Sequence, residues 1–301
     1  MLHVCVMLVF SSPFYTYHFT LISSHHNIMK VALCFWGLTR SLKYTIISIQ
    51  TKILSQLQEN NVEYTIFLHT YKFDDLYNNP RANEMNEQLD FDEYKLLMPD
   101  YVEIDDQNKV KETIDLEKYR SHPDPWKTDY VCVDNFLCAM YSKKRLGEMI
   151  RNSKQHFDAY LFLRPDVLYT NDFKMDYLSM LTPSYVCVPD FALWSKFNDR
   201  AFFCCHEDVF TYTDLFDHLL TYSKSNELHS ETCLYNLLVF KHDLIIQYVP
   251  FHFNRVRCNG RICYDDEPKQ VNNSFINIVP TVKKSRNPFF KSSNNKDVTF
   301  F

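Results

Sequence analysis

Residues 31–71 set an apolar run, a glycine, an amphipathic helix and a second apolar run in direct succession, and that order constrains the fold more than any other feature of the chain. "VALCFW" (31–36) reads as a strand. Leu42, Ile46, Ile49, Ile53 and Leu57 then recur at three- and four-residue steps, one apolar face of a helix, with Thr39 or Ser41 placed to cap it. "EYTIFLHTY" (63–71) is apolar and rich in β-formers, hence a second strand. Strand, turn, helix and strand in this order make a βαβ unit with a parallel pair. Glycine occurs only at Gly37, Gly147 and Gly260, so the one directly after the first strand calls for a reason.

The pattern continues along the chain. "YVEIDD" (101–106) reads as a third strand and 129–153 as a helix with Val133, Leu137, Met140 and Tyr141 on one face. "DAYLFLRPD" (158–166) and "SYVCVPD" (184–190) read as buried strands, 207–221 and 230–241 as helices, and 244–257 as β-rich sequence. The fold class is therefore α/β. The polar, Asn-rich stretch 72–98 reads as an exposed excursion, and no internal repeat interrupts the alternation.

Composition narrows the class further. The 301 residues are 46% hydrophobic and 23% charged, enough to bury a core. A formal net charge of −5 argues against a nucleic-acid partner that needs a broad basic face. None of the ten cysteines is spaced C-x-x-C, and most sit in apolar runs, so they read as buried reduced thiols.

The first 28 residues open on an apolar run that Ser11, Ser12 and Pro13 interrupt. No Lys or Arg precedes it, so the positive start of a signal peptide is missing, and the run is too short to span a bilayer as one helix. Met29 and Lys30 abut the first strand. Residues 1–28 thus read as a dispensable extension with Met29 as the natural start, a membrane anchor being the rival reading. The expected domain is 29–267, followed by a flexible Asn-, Lys- and Ser-rich tail over 268–301. No other stretch is apolar enough to span, so a cytoplasmic protein without a membrane partner is expected.

In an open α/β sheet, ligands bind beyond the carboxyl ends of the strands. Gly37 sits at that edge, where it permits a tight turn or a close approach of backbone to ligand. The helix N-terminus after it suits a phosphate, and Arg40 adds a bidentate fork. A turn glycine beside a solvated arginine fits the same segment. "YLFLRPDVLY" sets Arg164 and Asp166 at the end of another buried strand, as a possible cation and phosphate site or as a local ion pair. "FNDRAFF" offers Asp199 and Arg200, "LHSETC" offers Ser230 and Glu231 at a helix start, and "HFNRVRCNGR" alternates Arg255 and Arg257 on one strand face. No dinucleotide or Walker glycine loop is present.

Taken in order, "VALCFWGLTRSLKYTI", "YTIFLHTY", "DNFLCAMYS", "YLFLRPDVLY", "NDRAFF", "HSE" and "RVRCNGR" resemble a glycosyltransferase-like family of large DNA viruses, distantly similar to bacterial surface-polysaccharide enzymes. The resemblance covers roughly residues 30–262. It implies a Rossmann-like, mostly parallel sheet of the GT-A type flanked by helices, and a UDP- or GDP-sugar donor. It also implies a glycan or glycoprotein acceptor, Mn²⁺ or Mg²⁺ on an acidic D-x-D motif, and host cytoplasm if the source is viral. Here the motif is R-P-D: Asp166 is the acid left for a metal, and Arg164 occupies the first acidic place, where its charge can replace one. Asp90-Phe91-Asp92 matches D-x-D literally but follows no buried strand. On this reading Arg40, Arg164, Arg255 and Arg257 stabilise the diphosphate, with Gly37 beside them and Trp36 placed to stack a base or sugar. Asp199 or Glu231 deprotonates the acceptor. The rival is a degenerate transferase fold serving as a carbohydrate- or nucleotide-binding structural protein.

Overall fold

The computed structural model describes residues 28–264. Ile28 apart, the extension read over 1–28 lies outside the described residues, as does the tail over 268–301. β1 (Lys30–Trp36) leads through Gly37 into α1 (Leu42–Ile49), which runs on through a π-helical stretch (Gln50–Leu54) and α2 (Ser55–Glu59) to β2 (Glu63–Lys72). All five periodic apolar residues of this helix, Leu42 to Leu57, are buried. A hairpin of β3 (Tyr77–Asn79) and β4 (Glu84–Glu87) and a 3-10 turn (Glu93–Leu97) precede β5 (Tyr101–Asp106). α3 (Gln107–Ile114) and the long α4 (Val131–Ser153) lead back to β6 (Ala159–Leu163). There follow β7 (Val167–Tyr169), α5 (Asp176–Ser179), β8 (Tyr185–Pro189) and β9 (Phe202–Cys205). α6 (Val209–Thr213), α7 (Phe216–Ser223), α8 (Ser230–Tyr235), β10 (Ile245–Val249), β11 (Phe253–Val256) and β12 (Ile262–Cys263) complete the described chain.

Seven strands form the central sheet in the order β10-β8-β9-β6-β1-β2-β5. Every pairing is parallel except those of β9, which runs antiparallel to both β6 and β8. β1 lies between β2 and β6, with Trp36 opposite His69 and Phe35 opposite Leu163. Its apolar run is continuous because both faces are covered. Val31, Leu33 and Phe35 join the layer under α1, while Ala32, Cys34 and Trp36 join the layer under α4, the two-residue alternation of a strand. β7, β11 and β12 form a small second sheet beside the first.

Gly147 lets α4 close on α6, because a Cβ there would collide with the Thr213 side chain. All nine described cysteines are free thiols and seven are buried, as their apolar settings lead one to expect. Among the described residues no helix is long and apolar enough to cross a membrane.

The aromatic run before Cys204, to which the sequence pattern assigns no element, is a central strand, β9. Three sequence expectations change. The helix read over 207–221 breaks into α6 and α7, and 230–241 into α8 and a π-helical stretch. The stretch 72–98 is not an exposed excursion throughout: it buries Glu84 and Glu93 completely or nearly so.

Candidate functional site

The strand order reverses at β1. The chain moves outward from β1 to β2 and β5, then returns to place β6 on the other side of β1. Such a switch point opens a crevice at the carboxyl edge of the sheet. A cleft of about 420 Å³ lies there. Trp36, Gly37 and Arg40 reach it from the end of β1, Arg164 and Asp166 from the end of β6, and Arg255 and Arg257 from β11 and the residue after it. Asp199 and Arg200 reach it from the segment before β9, and Ser230 and Glu231 from the start of α8. Asp199 arrives at this edge because β9 runs against the sheet, so its amino end lies where the other strands finish.

Asp166 is 1% exposed and fully engaged. Arg164 grips it with two bonds, Nε to Oδ1 at 2.7 Å and Nη2 to Oδ2 at 2.6 Å, and Arg40 Nη2 donates to Oδ2 at 3.0 Å. Burial by itself would raise the carboxyl's pKa. The Arg164 and Arg40 charges and hydrogen bonds outweigh burial and hold it well below the usual carboxylate range. Arg40 also lies 3.5 Å from the fully buried Glu84 carboxylate, which Arg257 approaches at 3.8 Å. The Tyr77 hydroxyl accepts from Arg40. Trp36 Nε1 and Arg40 Nε at the cleft wall are buried donors with no hydrogen-bond partner among the described residues. Unpaired buried donors call for an acceptor from a ligand or water.

Gly37 takes φ of +90°, and a Cβ built there would meet nothing within 4 Å. The turn, not crowding by the protein, requires glycine, and the space beside it belongs to the cleft. The Gly37 N–H is spoken for: it donates to the His69 carbonyl at 3.2 Å and to Ser142 Oγ at 3.1 Å. Nor is the start of α1 open to a phosphate. Ser41 holds the cap position, but its hydroxyl donates to the Val256 carbonyl, and the Lys43 N–H donates to Glu93 at 3.0 Å. A carboxylate of the protein occupies the anion position, so the expected helix-dipole phosphate site is filled from within.

Trp36 is 4% exposed, and its ring is already covered by cations, Lys143 Nζ at 4.2 Å and Arg164 Cζ at 5.1 Å from its centroid. Its indole N–H rather than its face is offered to a ligand. Tyr71 lines the cleft too, but it is buried and donates its hydroxyl to the Cys138 carbonyl.

Asp199 and Glu231 make up the acidic part of the cleft. Burial, and then the Asp199 carboxylate, pushes the Glu231 carboxyl up to about 7, against the Ser230 hydroxyl bond and the charge of Arg200. Two nearby carboxylates with one pushed toward neutrality are a common acid–base arrangement. Lys143 of α4 is fully buried behind them and donates to the Asp199 carbonyl at 3.5 Å. Burial pushes its ammonium down to about 7; Asp199 and Glu231 pull it back up while Arg164 depresses it further. Sequence reading passed over Lys143. Its signal is a charged residue three positions from both Met140 and Leu146, two buried apolar residues of α4.

The donor set at Asp166 does not fit a divalent cation. Both of its oxygens face guanidinium groups, and a cation there would meet two positive charges at contact distance. Asp90 and Asp92 are exposed on the surface. Among the described residues, His69, Glu103 and Asp105 bring three ligand-type atoms together. There His69 bonds to Ser142 and Asp105, and Arg145 holds Glu103 at 2.6 Å, an ion-pair network that ties α4 to the sheet.

The chain matches no family model and no curated protein. It is similar to solved glycosyltransferase structures. Mouse xyloside xylosyltransferase 1 is 10% identical over 74% of this chain and 84% of its own, with a TM-score of 0.38. A glycosyltransferase involved in glycosylation of the major capsid of the virus PBCV-1 is 8% identical over 73% of this chain and 81% of its own, at 0.36. The glycosyltransferase GlyE of Streptococcus pneumoniae is 12% identical over 73% of this chain and 45% of its own, at 0.35.

Proposed function

We propose that the protein is a nucleotide-sugar-dependent glycosyltransferase of the GT-A type, and that its site works without a divalent cation. One observation carries the reading: a single cleft at the switch point joins an arginine cluster to a carboxylate pair in which Glu231 is held near neutrality. The first suits a diphosphate leaving group and the second suits an acceptor hydroxyl. On this reading Arg164, Arg255 and Arg257, with the unpartnered Trp36 and Arg40 donors, hold the diphosphate of a UDP- or GDP-sugar. Asp166 and Glu84 orient the guanidinium groups rather than touch the donor.

In the transfer step the acceptor hydroxyl gives its proton to the Glu231 carboxylate, and its oxygen bonds to the anomeric carbon. The bond from that carbon to the diphosphate oxygen breaks, and the electron pair leaves on the diphosphate, where the arginines neutralise it. A base on the acceptor is what a single displacement uses. The Asp199 carboxylate beside Glu231 raises the proton affinity of that base.

The test is a panel of UDP- and GDP-sugars in EDTA, read by melting temperature and by nucleotide release. At least one donor should raise the melting temperature of the wild type and of E231Q alike, while E231Q loses about 10²–10⁴-fold in turnover. No stabilisation by any nucleotide-sugar would sink the reading. Stabilisation without turnover in the wild type would instead favour the binding-protein alternative, for which the fully engaged Asp166 speaks.

A further inference from the structure

The chain has three tryptophans, Trp36, Trp126 and Trp194. Trp36 and Trp126 line the cleft. Trp126 stacks near-parallel on the His229 imidazole, with centroids 4.9 Å and planes 26° apart. Trp194 meets the same imidazole at 5.4 Å and 31°. A ladder of rings thus runs from the cleft through His229 to Trp194, which is 62% exposed.

Leaving the largest apolar side chain in water forgoes the free energy of burying it, and the loop that does so is built rather than frayed. Ala192, Ser195 and Lys196 hold φ of 47°, 49° and 65°, a region that residues with a Cβ avoid. Trp194 and Phe197 exchange backbone hydrogen bonds of 3.1 and 2.9 Å. The Asn198 amide donates to the Phe191 carbonyl at 2.8 Å, and the Tyr248 hydroxyl donates to the Lys196 carbonyl at 2.8 Å. The hydroxyls of Ser195 and Thr232 bond at 2.6 Å, tying the loop to α8. Backbone strain that persists to hold a ring in solvent points to a ligand for that ring.

The ring ladder also selects the chemistry of its occupant. One face of a pyranose is a patch of C–H groups that lies flat on the electron-rich face of an indole, with the hydroxyls left at its edge. Thr232, 3.3 Å from His229 Nδ1, and Ser195 bonded to it supply polar partners beside the ladder. An apolar peptide side chain would instead seek an enclosed pocket. Burial lowers the pKa of His229, which favours the neutral ring. His229 Nδ1 lies 3.4 Å from Glu231 Oε2, which joins the ladder directly to the carboxylate proposed as the base.

We infer that Trp126, His229 and Trp194 form the acceptor subsite and that the acceptor is a saccharide. The inference rests on reading the cleft as a glycosyltransferase site. The experiment titrates methyl glycosides of glucose, galactose, mannose and N-acetylglucosamine, and the matching disaccharides, into the full chain by calorimetry. The shift in melting temperature caused by UDP is measured on the same samples. A saturable signal is expected in the wild type, at least tenfold weaker in W194A and largely restored in W194F, with the UDP shift intact in all three. The side chain of Trp194 is mostly in solvent, so neither substitution threatens the fold. No glycoside signal with the UDP shift intact would overturn the saccharide subsite and leave the donor reading standing. Equal binding by W194A would overturn it as well. A glycoside signal lost in W194A without any UDP shift would support the ladder and sink the donor reading alone.

Discussion

An ammonium group buried over the Trp36 ring costs the fold stability, because neither the ring nor a backbone carbonyl replaces the water it has lost. K143M keeps the volume and removes the charge. It should raise the free energy of unfolding by about 0.5–2 kcal/mol. The sign follows from the depressed value: the penalty is present in full below about pH 7 and is relieved as pH rises toward 10.5, where the lysine is neutral folded and unfolded alike. The gain in K143M should therefore be largest below pH 7 and fade toward pH 10.5, as urea melts across that range would report. Activity should move the other way. Glu231 and Lys143 interact, so without the lysine's positive charge Glu231 holds its proton to higher pH, and the acid limb of kcat/KM, expected near 7 in the wild type, shifts upward. D199N removes a negative neighbour and should shift the same limb downward. A limb that both variants leave in place would show that Glu231 is not the titrating base.

At the scale of elements, the segment 72–98 closes the site by supplying two buried acids. Glu84 in β4 accepts from the Cys258 N–H at 2.8 Å and lies between Arg40 and Arg257. Glu93 accepts from the Lys43 N–H and pairs with the Lys43 ammonium at 3.1 Å. It thereby caps α1, where Ser41 makes no side-chain cap. E93A should cost about 0.5–2 kcal/mol, the value of a lost cap. The denaturant midpoint should fall at constant m-value, and E93Q, which keeps an acceptor oxygen, should recover part of the loss. An unchanged midpoint in E93A would mean that α1 needs no anion at its start. Nothing local announces either acid, since their partners lie 174 and 50 residues away along the chain.

The whole molecule is formally negative at −5, yet six arginines line the cleft against three carboxylates. A positive recess in a negative body concentrates field lines on an anionic ligand. UDP binding should accordingly weaken, by about tenfold between 0.05 and 0.5 M NaCl, as the Debye length contracts, and EDTA should leave it unchanged. Calorimetry of UDP across salt, with and without Mn²⁺, checks both. Binding that ignores salt and requires Mn²⁺ would contradict a site whose charge comes from arginine.

Periodicity along the chain determined β1, the helix after it and β2 on its own. The stripe Leu42, Ile46, Ile49, Ile53 and Leu57 is buried as one helix face, and the apolar run 31–36 is a strand covered on both sides, because such patterns have one low-energy way to leave water. The same local logic put Gly37, Arg40, Arg164 and Asp166 at strand ends. What only the tertiary structure decided is which groups meet and which are spent. Asp166 and the start of α1 are taken by Arg164, Arg40 and Glu93, so neither is left for a metal or a phosphate. The reversed strand β9 delivers Asp199 to the edge that Glu231 also reaches, and the closing of α4 on the sheet leaves Lys143 dry beneath them. These outcomes depend on strand direction and on contacts between residues far apart in sequence, whereas propensity and periodicity act over one or two turns of chain.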